Sequence, residues 1–145
     1  MTDIAANPVL VAATLAWAIA QTLKFVIYSV HERRVSLRYL TTMGGMPSTH
    51  SATVAGLATA VGMREGLRAT SFAVAFLFAV IVMYDAAGVR RAAMAQAKIL
   101  NQIIDELFQG HPISETRLRE LLGHTPFEVM VGALLGVVIA YVVLT

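Results

Sequence analysis

Two short stretches of this chain place histidine, hydroxyl and carboxylate groups where an apolar helix is about to begin. They are Gly44-Gly45-Met46-Pro47-Ser48-Thr49-His50-Ser51 and Gly123-His124-Thr125-Pro126-Phe127-Glu128. A helix start leaves backbone N–H groups unsatisfied and carries the positive end of the helix dipole, so it favours an anion. In the second stretch, one turn of helix brings the Glu128 carboxylate near His124. A carboxylate on one ring nitrogen fixes the tautomer and leaves the other nitrogen as a nucleophile. In the first, Ser48 and Thr49 offer hydroxyl and backbone donors to an anion, and His50 is placed to protonate a leaving oxygen. Two such ends facing each other, with cations nearby, would make a phosphate site that holds both a nucleophile and an acid.

The same residues also fit ordinary helix starts. Thr125, Pro126 and Glu128 form a capping box with proline at the first helical position, and Ser48 is a normal cap after a Gly-Gly turn. Against that, His50 and Ser51 then fall inside the first turn of a membrane span, where polar groups are costly without a use. Lys24, with Gln21 one turn earlier, and Asp85 lie within or at the end of apolar runs near the same membrane face, and either pair with each other or line a polar site. Arg33, Arg34, Arg90 and Arg91 follow two apolar runs. There they complement helix C-termini and set topology whether or not they also meet a ligand.

The elements that must position these groups are membrane helices. Of 145 residues, 57% are hydrophobic and 14% charged, and mean hydropathy is +0.70; a soluble domain carries about 25% charged residues. Cysteine is absent, which excludes disulfides, thiolate metal sites and a cysteine nucleophile. The N-terminal apolar block lacks the positive flank of a signal peptide and is too long for one, so it is expected to remain as a span. The net charge of +2 gives no reason to expect nucleic acid as a partner.

Apolar runs predict spans over about 8–30, 48–63, 70–87 and 125–144. An amphipathic helix is expected over about 92–108, either continuing the third span or lying at the interface, with Leu100, Ile103, Ile104 and Leu107 on its apolar face. Gly110 and Pro112 end it, and Ser114 to Leu122 can add a further turn or two. The second span is rich in small residues, with Ala52, Gly56 and Ala60 at four-residue spacing. In the fourth, Gly132 and Gly136 form a G-x-x-x-G pair; this face is a candidate homo-oligomer contact, although such a pair more often packs within its own chain. The expected fold is therefore all-α, one integral-membrane four-helix bundle with an additional amphipathic helix. Arg33, Arg34, Arg38, Arg90, Arg91, Lys98, Arg117 and Arg119 lie on one side, against Arg64 and Arg68 on the other. That bias puts both histidine motifs on the cytoplasmic side and both termini outside.

Taken together, these residues resemble the divergent branch of the type 2 phosphatidic acid phosphatase superfamily, which also contains vanadium haloperoxidases. The superfamily is marked by the motifs K-x6-R-P, P-S-G-H and S-R-x5-H-x3-D. Pro47-Ser48-Thr49-His50 is similar to the second, with Thr for Gly. His124 to Glu128 is similar to the end of the third, with Glu for Asp. The stretches Gly-Gly-Met-Pro-Ser-Thr-His-Ser, Tyr-Asp-Ala-Ala-Gly-Val-Arg-Arg and Leu-Leu-Gly-His-Thr-Pro resemble the divergent branch itself, and the likeness runs over nearly the whole chain. Lys24 stands for the first-motif lysine, but His31 occupies the arginine position, so Arg33, Arg34 or Arg38 would have to substitute. In the third motif Leu118 stands where an arginine is expected, between Arg117 and Arg119, with Arg90 and Arg91 as further candidates. Membrane members of the superfamily usually have six spans, against four here.

The resemblance implies a reduced core of that fold in a bacterial plasma membrane and a lipid phosphate or diphosphate as substrate, with no cofactor or metal. His124 would be the nucleophile, oriented by Glu128, and His50 the acid. Lys24, Arg34, Ser48, Thr49, Arg90, Arg91 and Arg119 would hold the phosphate. The competing reading is a lipid-phosphate binder or translocator that uses the same cationic pocket without turnover.

Overall fold

The structure, a computed structural model, describes residues 6–36, 45–107 and 124–145, and only the backbone of 89–95 and 105–107. Within these residues the chain is all helical, in four elements: α1 (Pro8–His31), α2 (Thr49–Glu65), α3 (Thr70–Leu107) and α4 (Pro126–Leu144). Their starts follow from local chemistry. Asn7 caps α1, its Oδ1 accepting from the N–H groups of Val9 (3.0 Å) and Leu10 (3.3 Å), and Pro8 takes the first position. Ser48 caps α2, whose end is set by Gly66 at φ +89°, a conformation that favours glycine. Thr125 and Glu128 complete the expected capping box on α4.

Three helical stretches are long and apolar enough to cross a membrane: Pro8–His31, Thr70–Gly88 and Pro126–Leu144. The fourth expected span, α2, has 17 residues, a rise of about 26 Å and the short limit for crossing a hydrocarbon core of about 30 Å. It sits at the centre, touching α1 and α4 on one side and α3 on the other, while α3 and α4 scarcely meet. Size is sorted in reverse of a soluble protein. Inward positions carry alanine, glycine and serine, whereas Trp17, Leu77, Ile81, Leu134 and Val142 point outward, with Leu134 67% exposed. Large apolar side chains belong outside when the surroundings are lipid, and small ones let helix backbones approach.

Of the two readings of residues 92–108, the structure shows the continuation of the third span: it and the span at 70–87 are one 38-residue helix, Thr70–Leu107. Gly88 and the arginines end the apolar composition, but no proline interrupts the run, and residues 92–107 are mostly good helix formers. On that distal half the buried side chains are Ala97 and Asn101, while Leu100 and Ile103 of the expected apolar face are exposed. The Gly132/Gly136 face packs within the chain. Both glycines are buried, and a Cβ on either would collide with the carbonyl oxygen of Ser48 or Ala52 respectively. α2 covers this face. Phe108, the expected end of the amphipathic helix, and the turns expected from Ser114 to Leu122 lie outside the described residues.

Small residues also set the register. Ala12 clusters with Ala60 and Ala140, and a Cβ added to Gly56 would lie 3.1 Å from the Cβ of Ala16. On α1 the buried positions Ala12, Ala16, Ala20 and Lys24 recur every four residues, forming one stripe antiparallel to α2. On the far side of α2, Val54, Ala58 and Val61 pack against Ala75 and Ala79 of α3. Gly136→Val should force α4 off α2, because the obstacle is backbone and cannot rotate away. The expected loss is at least the roughly 1–3 kcal/mol of an overpacked core, read as a lower unfolding temperature in detergent, with Leu134→Val close to unchanged.

Candidate functional site

The two histidine motifs meet. α2 and α4 start at the same end of the molecule, and their starts are tied directly: the Ser48 N–H donates to the Glu128 carbonyl at 3.2 Å. Ser48 is fully buried, and its Oγ accepts from the Ser51 N–H (3.3 Å) and lies 3.0 Å from the Ser51 hydroxyl. One residue therefore caps α2 and joins it to α4. The Gly45 turn before it, at φ +81°, leaves no room for a side chain, because a Cβ there would overlap the Tyr28 ring of α1.

His124 stands immediately before α4 and is 2% exposed. Its Nδ1 lies 3.1 Å from Glu128 Oε2, and the same oxygen accepts from the Thr125 N–H at 3.1 Å. The Glu128 N–H in turn donates to Thr125 Oγ1 at 3.2 Å. The capping box and the histidine–carboxylate pair are thus one network: the carboxylate that closes the helix start also aims the imidazole. Nε2 points away from that carboxylate and is buried with no hydrogen bond among the described residues. The His50 ring stands edge-on to His124, with centroids 6.2 Å apart and planes at 68°. His50 is exposed and His124 buried, so the site has an open side and a closed side.

The other expected residues divide into three groups. Thr49 is buried in the first turn of α2, and its carbonyl accepts from Thr53 Oγ1 at 2.7 Å. Lys24, 2% exposed, is the buried charged side chain among the described residues. The register that matches Ala12 to Ala60 and Ala16 to Gly56, continued by two four-residue steps, sets Lys24 level with Ser48. Arg34 instead lies at the surface, where it pairs with Glu32 at 3.2 Å. Arg90 and Arg91 lie on α3 with only their backbone described; Arg119, like Arg38 and Arg117, lies outside the described residues. Sequence reasoning missed Tyr28, although it lies one turn beyond Lys24; Ser51, noted from the sequence as a costly polar group, is the N3 partner of a serine cap.

What these features define is a helical membrane protein with a carboxylate-oriented histidine and a second histidine at two joined helix starts. The chain belongs to the Divergent PAP2 family, whose model matches residues 5–139. It is 38% identical to the uncharacterized membrane protein YuiD of Bacillus subtilis (strain 168), over 85% of each chain. No solved structure matches.

Removing the cap should loosen both functions of the network. Thr125→Ala is expected to lower stability in detergent by about 1 kcal/mol. Glu128→Gln retains an oxygen for the Thr125 N–H and should lose less than Glu128→Ala in the same thermal melts.

Proposed function

We propose that this protein is a membrane phosphatase that hydrolyses a lipid phosphate or diphosphate through a phosphohistidine intermediate. The observation that carries the reading is the arrangement of the two imidazoles. One is buried and held by a carboxylate through Nδ1, the other is exposed at a centroid distance of 6.2 Å. Membership of the Divergent PAP2 family supports it. So does the location of both rings at paired helix starts, where backbone dipoles favour a phosphate.

In the first step His124 Nε2 attacks phosphorus while the bond from phosphorus to the leaving oxygen breaks. His50, as imidazolium, gives that oxygen a proton. Glu128 accepts the Nδ1–H throughout and stabilises the positive charge that develops on the ring. In the second step neutral His50 takes a proton from water, the hydroxide attacks phosphorus, and the P–N bond breaks to release inorganic phosphate and restore His124. Such steps depend on positioning and on charge held near the transferring group. Lys24 supplies a cation at the level of Ser48, and Thr49 borders the site from α2. Arg90, Arg91, Arg119 and Arg34 are the candidates that complete the cradle. The exposed position of His50 suits a group that must exchange protons with water on each turnover.

Charge bias supports a site on the cytoplasmic face of a bacterial plasma membrane, with phosphatidate, phosphatidylglycerophosphate or a prenyl diphosphate as the substrate type. The test is phosphate release from that panel by purified protein in detergent. Wild type should release phosphate and be inhibited by vanadate. His124→Ala should abolish turnover, and His50→Ala should lower it by about 10²–10⁴, the usual contribution of a positioned acid–base group. Brief incubation with a ³²P-labelled substrate should leave an acid-labile, alkali-stable label on wild type and none on His124→Ala. Well-folded protein that binds the lipids but releases no phosphate would replace this reading with that of a binder or translocator.

A further inference from the structure

Below the histidines, the sparse contact between α3 and α4 leaves a cleft of about 590 Å³. Ala55, Ala58 and Gly62 of α2 line it, with Phe76 of α3 and Ala133 and Val137 of α4. Among the described residues no charged side chain lines it. Its volume is that of a small-molecule pocket, about 300–1,000 Å³.

The position of the cleft is what identifies an occupant. Ala55 lies five residues beyond His50 on α2, about 7.5 Å along the helix, and Ala133 lies eight residues beyond the Thr125 cap that follows His124, about 12 Å along α4. From there the cleft runs past Gly62, about 18 Å below His50, to Met63 in the last turn of α2 and Leu67 in the connection to α3, so it spans over half the depth of a hydrocarbon core. Two of its walls, α3 and α4, are helices that qualify as membrane spans. A gap between two such helices opens toward lipid chains rather than toward water. A phosphate held at the joined starts of α2 and α4 would have its own hydrocarbon tail directed along those two helices and into this gap.

We propose that the cleft binds one hydrocarbon chain, acyl or prenyl, of the same lipid whose phosphate lies at His124 and His50. This rests on the lipid-phosphate reading given above, and adds to it that the protein selects its substrate by chain as well as by headgroup. The small residues of α2 leave room for the chain, with Phe76 of α3 and Val137 of α4 as walls. A bulk phospholipid without a phosphate at the histidines has no reason to prefer this gap to the outer face.

The experiment uses the full chain in nanodiscs and two photoreactive lipids, each with a diazirine at mid-chain. One is a phosphatidate and the other a phosphatidylcholine of the same chains. Phosphatidate should label α2 over 55–62 and α4 over 133–137, and phosphatidylcholine should label the outward faces instead. Val137→Trp should cut cleft labelling by at least about tenfold, the scale on which an apolar pocket registers a single methylene. Leu134→Trp, an outward position, should leave it unchanged. Ala133→Phe gives a second filled cleft should the first variant fold poorly. Equal labelling by both lipids, or cleft labelling indifferent to Val137→Trp, overturns the proposal. So does efficient disulfide dimerisation of Val137→Cys in this otherwise cysteine-free chain, since a second copy would then occupy the gap. Labelling needs no turnover, so cleft labelling without phosphate release rejects the phosphatase reading and keeps the chain site. Phosphate release without cleft labelling rejects the chain site alone.

Discussion

The approach of α4 onto α2 is the constraint on which the other features depend. Helices in lipid gain little from the hydrophobic effect when they associate, because the surrounding tails are as apolar as their own side chains. What remains is close packing and hydrogen bonding. At Gly132 and Gly136 the missing side chains let the α4 backbone lie directly on the carbonyls of Ser48 and Ala52. That proximity allows the Ser48 N–H to reach the Glu128 carbonyl. Once those two starts are joined, the facing of His50 and His124 follows from the helix geometry. The α1 stripe then brings Lys24 to the same level.

Much of this was legible from the residues. The capping box, the apolar runs and the two histidine motifs are local patterns, and each formed where its spacing required. Less legible was anything that depended on a choice of partner. Gly132 and Gly136 announce a close helix contact, but the spacing is the same whether the other helix belongs to this chain or to another. The continuity of α3 was one of two readings the sequence left open, because a change of composition at Gly88 looks like an end, although nothing there breaks a helix. On its distal half Leu100 and Ile103 face outward while Ala97 and Asn101 are buried, and side-chain size alone does not say which of these faces meets the rest of the chain. Tyr28 acquires its meaning only after Gly45 is brought against it by the turn. The pairing of Arg34 with Glu32 at the surface is likewise visible only in the structure.

The two histidines differ in surroundings as well as in position. His124 is buried and Glu128 partly so, and partial removal from solvent strengthens a hydrogen bond to a charged group relative to one at the surface. The same carboxylate oxygen serves Thr125, so the pair is held by the helix start and needs no further support to keep its aim. His50 sits at the open side, where solvent can relax around a changing charge. In the proposed mechanism this difference between an enclosed ring and an accessible one divides covalent attack from acid–base work.

The reversed sorting of side-chain size has a consequence for how this chain can vary. In a soluble core the bulky residues carry the information and the outside drifts. Here the bulky residues face a fluid that conforms to any shape, so leucine, valine and phenylalanine are nearly interchangeable there. The specification of the fold is written instead in alanine, glycine and serine, the residues with the least to lose and the least room for change. At Gly132 and Gly136 a single added methyl group is already too much. The molecule is most exacting where it has the fewest atoms.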